Sequence, residues 1–400
     1  MRKKTLNSND ISEELIGIVG GGQLAQMLCK AASIRNVQVA VQTGSKADPA
    51  AIHSNRVFLS RPDDALGTRE ISEKCKCITF ENEWVNVDQL KALEQEGVHF
   101  IPKIDSLSPL VDKISQRQLL KDLNIPGTEW LKLCSDQLSD FQLPSGWEFP
   151  LMAKASRGGY DGKGTKVINN FNELKKLRAE VNQNDWFLEK WVEYESEYSL
   201  VASRDLDGHI RTFNLAQTNQ SNQVCDWVIV PAEVSHAVEL MTYNIAASLL
   251  TKLNYFGVIA IEFFYGTGGL LVNEIAPRTH NSAHFSIEAC NSSQFDQQIC
   301  IAAGLPVSST DLIVPGALMI NLLGLPSGAS SSLEQRISEI KNVEGANLHW
   351  YGKDDEKPGR KLGHVTFLLN GTDFISRNDE AMEALKKIRS IWPITSSKLG

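Results

Sequence analysis

No apolar run in this sequence approaches the roughly 20 residues that a membrane-spanning helix needs. The opening MRKKTLNSNDISEEL is basic and then acidic with no hydrophobic segment, so it does not read as a secretory signal. Residues 1–14 are expected to form a short disordered extension. Positive charge is in deficit. Lys and Arg number 40 against 48 Asp and Glu, a formal net charge of −8, which argues against nucleic acid or an anionic membrane as partner. A small anionic substrate needs only a local positive pocket. The seven cysteines, Cys29, Cys75, Cys77, Cys134, Cys225, Cys290 and Cys300, are odd in number and scattered. None forms a CxxC pair, and Cys75-Lys76-Cys77 is too tight for a zinc knuckle. Reduced, buried thiols and a cytoplasmic setting are therefore expected. There is no internal repeat, and only one mildly low-complexity patch, at 327–332.

What is present suits two or three soluble domains: 400 residues, 42% hydrophobic and 22% charged. The most informative stretch is 255–284, YFGVIAIEFFYGTGGLLVNEIAPRTHNSAH. Apolar runs at 258–265 and 270–275 flank Gly266-Thr267-Gly268-Gly269, which reads as a hairpin turn. Folding about that turn brings Glu262 and Glu274 to within about one residue of facing each other. Adjacent carboxylates in apolar strands repel, and burying unpaired charge is costly. A hard divalent cation such as Mg²⁺ between them removes both problems. Solvent-facing acids, or pairing with Lys or Arg, is the ordinary alternative. Arg278-Thr279-His280-Asn281 follows at once, however, setting cationic and proton-transfer groups beside the proposed metal. That favours the chemical edge of a nucleotide site.

Residues 15–110 alternate strands (15–19, 37–41, 56–59, 77–80) with helices, the pattern of an open parallel α/β sheet. The first turn, GGGQLA, matches G-x-G-x-x-A, whose amides can receive a phosphate at a helix N-terminus. A dinucleotide site also wants an acid closing the second strand. That strand ends in Gln42-Thr43 with Asp48 out in the loop, so close packing or another ligand is favoured over NAD(P). A helix over 112–123 precedes Pro126-Gly127. A strand over 149–154 ends in Lys154 and leads into SRGGYDGKGT at 156–165. This glycine-rich loop is able to close over phosphates with its amides, although it lacks the Walker spacing; a flexible surface loop is the alternative. A helix over 171–181 follows, then a strand over 186–192 and a strand over 197–203 read as its antiparallel partner in the same sheet. The backbone of Lys190, Trp191 and Val192 can face a purine edge, with Glu189 and Glu197 near its amino group and ribose; solvent-facing acids are the alternative. Helices are expected over 237–253 and 287–303, the latter ended by Gly304-Leu305-Pro306. Residues 315–400 read as a smaller region of short strands. There Lys353, Lys357, Arg360 and Lys361 form either a phosphate clamp or a solvated basic surface.

The order of these parts resembles the ATP-grasp fold. The closer likeness is to the 5-(carboxyamino)imidazole ribonucleotide synthases of purine biosynthesis. It rests on GGGQLAQM, TFENE, RGGYDGKG, NEIAPRTHNSAH, MINLLG and WYGK…KPGRKLGH occurring together in family order, and it covers the chain from about Ile16 to Gly400. It implies an α/β and α+β architecture. An N-terminal open parallel domain would span 15–110, an ATP-grasp domain with its lid at 156–165 would span 111–314, and a small β-rich domain would span 315–400. The activity implied is ATP- and bicarbonate-dependent carboxylation of 5-aminoimidazole ribonucleotide through carboxyphosphate. ATP and Mg²⁺ are the cofactors implied, with neither NAD nor biotin, in a cytoplasmic homodimer.

Carried over by position, the resemblance implies that Lys113 and Lys154 contact ATP phosphates. Gly159, Tyr160, Asp161, Gly162, Lys163, Gly164 and Thr165 would form the lid. Glu189, Lys190, Trp191 and Val192 would be the adenine hinge, with Glu197 on the ribose. Glu262 and Glu274 would hold Mg²⁺, with Asn273 beside the phosphates. Gln23, Leu24, Glu81, Asn82, Glu83, Tyr160 and Asp161 would approach aminoimidazole ribonucleotide, with Lys353 and Arg360 on its 5′-phosphate. Arg278 and His280 would stand at the reacting carbon, His280 suited to move a proton. The chain departs from the family where relatives carry a histidine after the ribose-glutamate strand: Gln220 stands near that place. Other readings are a related ATP-grasp ligase, such as a formate-dependent glycinamide ribonucleotide transformylase, an NAD(P)-linked oxidoreductase, and a non-catalytic nucleotide-binding regulator.

Overall fold

The computed structural model describes residues 15–135, 138, 142–159, 164–221, 223–325, 331–353 and 355–394. The expected extension at 1–14, most of the patch at 327–332, and the lid residues Tyr160, Asp161, Gly162 and Lys163 lie outside the described residues.

The described strands form three sheets. In the first, β1 (Leu15–Val19), β2 (Val39–Thr43), β3 (Arg56–Leu59) and β4 (Cys75–Phe80) are all parallel, in the order β3-β2-β1-β4. The central strands β1 and β2 are buried along their whole length, as parallel strands covered on both faces must be. The helix Gln23–Ile34 packs Ala25, Leu28 and Ala32 into one cluster with Phe295 and Ile299 of the helix Gln294–Ala303. The N-terminal sheet thus shares its core with a later part of the chain.

The second sheet is antiparallel: β5 (Trp130–Lys132), β6 (Leu151–Ala155), β7 (Thr165–Ile168) and β8 (Trp186–Lys190), in the order β5-β8-β6-β7. Leu188 packs with Leu151, Ala153, Leu174 and Leu177 beneath the helix Phe171–Glu180. The two-residue strand period then sends Glu189 out of the opposite face.

The third sheet holds β9 (Ser196–Arg204), β10 (Ile210–Thr212), β11 (Ala216–Ser221), β12 (Val224–Val230), β13 (Gly257–Gly266), β14 (Gly269–Ala276), β15 (Gly316–Leu323), β16 (Asn347–Trp350) and β17 (Lys361–Leu369). Its order is β14-β13-β9-β11-β12-β15-β17-β16, with β10 on β9. This corrects the reading of 197–203 as a partner of 186–192. The two segments are consecutive strands of different sheets, because β9 pairs with β10, β11 and β13. Beyond β12 the sheet continues into β15, β17 and β16, backed by the helices Leu333–Lys341 and Phe374–Ile391 through Ile340, Ala381, Ala384 and Ile388.

The helix expected over 287–303 is also corrected. It is two helices, Ser286–Ala289 and Gln294–Ala303, interrupted at 290–293. Ser293 and Asp296 form a reciprocal capping box that starts the second one. Gly304, at φ 66, ends it in the left-handed region glycine favours.

Candidate active site

The hairpin β13–β14 pairs Glu262 directly with Glu274. Beyond that pair the register shifts, so that Phe263 faces Val272 and Asn273 is the extra residue of a bulge. Val272 and Ile275 both enter the same apolar cluster as Ile261 and Phe263. Strict alternation would forbid this for residues three apart. The bulge allows it and turns Asn273 and Glu274 together toward the polar face. The free edge of β14 is held by the helix Lys113–Asp122, where Gln116 accepts the Ile275 N–H (3.1 Å) and donates to the Ile275 carbonyl (2.8 Å).

That helix also delivers cations. Lys113 pairs with Glu274 at 2.5 Å. Arg117, one turn on, is buried, pairs with Glu189 and donates to the Asn273 carbonyl. From the second sheet, Lys154 reaches Glu189 at 2.7 Å and the Asn273 side-chain oxygen at 3.2 Å. Glu189 therefore does not face a purine edge with its carboxylate. It lies between two cations, 2% exposed. Burial raises its pKa, but Arg117 and Lys154 outweigh burial and keep it below the ordinary glutamate value. Burial pulls the Lys154 ammonium down, and Arg117 and Lys113 add to that fall against the pull of Glu189.

The carboxylates of the hairpin are unequally served. Burial and then the Glu274 charge push Glu262 up to about 7. Burial also raises Glu274, but Lys113 more than reverses it and brings Glu274 down to about 2. Among the described residues, the one cation-capable group in ion-pair range of Glu262 is the His280 ring, Nε2 to Oε1 3.8 Å. Two facing carboxylates with a single lysine, and an amide oxygen alongside, are a donor set that fits a hard divalent cation.

Arg278 forks onto Glu83 with Nε at 2.5 Å and a terminal nitrogen at 3.2 Å, tying this loop to the N-terminal sheet. Burial raises Glu83, yet Arg278 holds it below its usual range. Glu81 accepts the Gly22 N–H at 2.8 Å. The helix N-terminus whose glycine pattern matches a dinucleotide-phosphate site is thus filled by the chain's own carboxylate. A Cβ on Gly22 would lie 2.3 Å from Glu81, so this turn has glycine because a side chain from β4's end closes on it. Asn82 accepts the Trp84 N–H and caps its own turn.

Around this centre the remaining predicted residues divide. Lys190 pairs with Glu129 at 2.6 Å, and Trp191 and Val192 lie beyond the last pair of β8, in the crossing to β9. Tyr194 stacks on Phe264 at 4.5 Å, and both Tyr194 and Gln220 hydrogen-bond Glu197, whose pKa burial raises. Gln220, which stands near the place where a histidine is expected, is a direct neighbour of Glu197. At the ends of the glycine-rich loop, the Gly164 carbonyl accepts the Ala155 N–H, Gly159 lies against Gly164, and Thr165 donates to Gln223, just before β12, at 2.6 Å. Leu24 packs at the rim of the first core. Lys353 donates to Gln23 Oε1 (2.7 Å) and to the Lys361 carbonyl (2.6 Å), joining positions 330 residues apart. Arg360, next to Lys361 in the chain, pairs with Asp355, as does Lys357.

Sequence reasoning missed Arg117, Ser199, Ser282 and Gln294, and did not single out Lys361. Arg117 stands four residues after Lys113, a spacing that already places both cations on one helix face. Lys361 acts electrostatically on both Glu262 and His280. Its adjacency to Arg360 in the basic run was the available signal.

Comparison with known proteins identifies relatives along nearly the whole chain. Residues 14–110 match the ribonucleotide synthetase preATP-grasp domain, 118–295 the ATP-grasp domain, and 317–377 the phosphoribosylaminoimidazole carboxylase C-terminal domain. The chain is 41% identical over 378 residues to the N5-carboxyaminoimidazole ribonucleotide synthase of Synechococcus elongatus, covering 94% of this chain and 95% of that one. It is 32% identical over 369 residues to the synthase of Bacillus subtilis, covering 90% and 92%. Among solved structures, an ADP complex of an N5-carboxyaminoimidazole ribonucleotide synthetase superposes with a TM-score of 0.84 at 29% identity, covering 95% of this chain and 97% of that one.

Proposed function

The chain belongs to the N5-carboxyaminoimidazole ribonucleotide synthase family, and from that premise we propose how its residues carry out the ATP-dependent carboxylation of 5-aminoimidazole ribonucleotide with bicarbonate. The observation that carries the reading is the cross-strand pair Glu262–Glu274, flanked by Lys113 and Lys154 in the cleft between the second and third sheets. Lys113 and Lys154 neutralise the ATP phosphates, and Glu262 and Glu274, with Asn273 beside them, hold Mg²⁺. When bound, the metal supplies further positive charge to the phosphates. Trp191 and Val192 offer backbone to the adenine, and Glu197 takes the ribose. The lid at 156–165 excludes water from carboxyphosphate, which hydrolyses readily. Arg278 and His280 stand at its carboxyl group, Glu81 and Gln23 face the imidazole nucleotide, and Lys353 takes its 5′-phosphate. No helix among the described residues is long and apolar enough to cross a membrane. The family likeness extends the reading to a cytoplasmic setting and to a homodimer, the latter tested by light scattering.

The test of the reaction is ADP formation from Mg·ATP and aminoimidazole ribonucleotide, with and without bicarbonate. Turnover requiring both, with a carboxylated product, is expected. Dependence on formate instead would move the chain to the transformylases. Within this reading, Lys353→Ala should raise KM for the imidazole nucleotide roughly 10- to 100-fold, the worth of one hydrogen bond to a charged group, with KM for ATP unchanged. An unchanged nucleotide KM would remove Lys353 from the phosphate. Because Glu262 titrates at about 7 beside Glu274, Mg²⁺ must displace a proton there. Calorimetry in buffers of different ionisation enthalpy should find about half a proton released per metal at pH 7 and almost none at pH 9. Equal release at both values would show that Glu262 is already ionised at pH 7 before the metal binds.

A further inference from the structure

His280 Nδ1 accepts the backbone N–H of Ser282 at 3.4 Å and lies 3.0 Å from the Ser282 hydroxyl. A ring nitrogen that accepts an N–H carries a lone pair, so the Ser282 hydroxyl donates to it as well. The Ser282 oxygen then accepts from Ser199 Oγ, 2.6 Å away. Both serines are 2% exposed, so no solvent competes for this chain of donors. Ser199 faces Glu262 in the β9–β13 ladder, so the same register places the carboxylate and the hydroxyl that donates to Ser282. The peptide of His280 is clamped by Gln294, which accepts its N–H (2.7 Å) and donates to its carbonyl (2.6 Å). With Nδ1 committed as an acceptor, the proton of the neutral ring is on Nε2, the nitrogen that points at Glu262.

We propose that Ser199 and Ser282 are positioning residues that lock His280 as the Nε2–H tautomer, so that His280 serves the reaction as a neutral hydrogen-bond donor to the carboxyl group and not as the base that deprotonates the amine. This rests on the placement of His280 at the reacting carbon given above. An Nε2 that already holds a proton has no lone pair to offer the attacking amine. The balanced step is then attack of the exocyclic nitrogen on the carboxyl carbon of carboxyphosphate. The C–N bond forms, the C–O bond to phosphorus breaks, and the amine proton leaves on the departing phosphate as hydrogen phosphate. His280 Nε2–H stabilises negative charge on the carboxyl oxygen throughout.

The experiment compares His280→Gln with His280→Ala in the full chain, each first checked for folding and ADP binding. A glutamine amide donates from about the place of Nε2 but is no base. Alanine should lower kcat about 10²- to 10³-fold, the usual loss of one such donor, while glutamine stays within about 10-fold of the parent. Ser282→Ala should lower kcat about 10-fold with KM for ATP unchanged, and less carboxylated product should form per ADP. Long-range ¹H–¹⁵N correlation spectra of the ring should show an unprotonated Nδ1 in the parent and a mixed tautomer in Ser282→Ala. Glutamine as poor as alanine, or an Nδ1–H ring in the parent, overturns the proposal. Full turnover of His280→Ala instead removes His280 from the reacting carbon. A parent enzyme indifferent to bicarbonate overturns the reaction itself.

Discussion

Glu189→Ala should cost about 3–5 kcal/mol of stability and abolish saturable ATP turnover, because it strands two cations in a cleft with no counter-charge. Arg117 and Glu189 are each 2% exposed and Lys154 13%, so water cannot replace the missing carboxylate. The effect differs in kind from deleting a surface pair, which costs about 1 kcal/mol or less. The control is the double change Arg117→Met with Glu189→Leu. It removes the buried Arg117–Glu189 pair and leaves apolar groups of similar bulk, with Lys154 as the one remaining charge of the three, so it should unfold at higher urea than Glu189→Ala alone. Lys154, no longer aimed by Glu189, should still leave that protein with a raised KM for ATP. Urea midpoints at pH 7.5 for the parent, Arg117→Met, Glu189→Leu and the double variant complete the cycle. A loss below about 1 kcal/mol for Glu189→Ala would mean that the triad is hydrated. The pH dependence has a definite sign. The Glu189 pKa lies below its unfolded value, so its contribution is complete above the ordinary glutamate range and is lost as pH falls through the folded value.

Glu189 also marks where the sequence stopped being legible. Its strand was readable from WFLEKWV, and the two-residue period said that Leu188 and Glu189 face opposite ways. Which face meets Arg117, 72 residues earlier, depends on how two sheets and a helix close around a cleft, and no local pattern encodes that. The hairpin was legible because its information is local: two apolar runs, a glycine turn and two acids. Its bulge had a trace in Val272-Asn273-Glu274-Ile275, where two polar residues in succession interrupt the alternation. The misassigned partner of β9 has the same origin as the missed role of Glu189: strand propensity identifies a strand and says little of its neighbours. The interrupted helix at 290–293 was readable, since Ser293-Gln294-Phe295-Asp296 is a capping-box signature inside an otherwise helical run. Gln23 and Lys353 were each picked out by resemblance. Their contact follows from the helix Gln23–Ile34 sharing a core with Tyr351, whose ring lies 5.4 Å below the Lys353 ammonium.

Acid should unfold this protein earlier than its carboxylates alone would dictate. Burial, helped by Arg278 and Lys361, pushes His280 down to about 3. His284 and His364, both fully buried, lie well below the ordinary histidine value because burial, and then their histidine neighbours, oppose a charge there. His284 Nδ1 meets Gln294 at 3.2 Å, and His364 Nδ1 meets the Tyr351 hydroxyl at 2.8 Å. His364 also stacks on His349 at 4.5 Å, and His349 contacts Glu288. In the unfolded chain each of the three rings regains a pKa of about 6.5, so the unfolded state takes up protons first and stability falls as pH falls. The contribution is complete above about pH 6.5 and drains away below it, at up to about 4 kcal/mol per pH unit once all three rings are charged in the unfolded chain. A folded state worth about 5–15 kcal/mol cannot withstand that for more than a few pH units. Urea midpoints measured from pH 8 to pH 5 should be level at the alkaline end and then decline with a slope near two protons, because Glu262, which binds its own proton at about pH 7 in the folded protein, offsets one of the three rings. A profile flat until about pH 4.5, where ordinary carboxylates begin to titrate, would mean that the rings take up protons in the folded protein. The neutral state argued for His280 in catalysis would fall with that result.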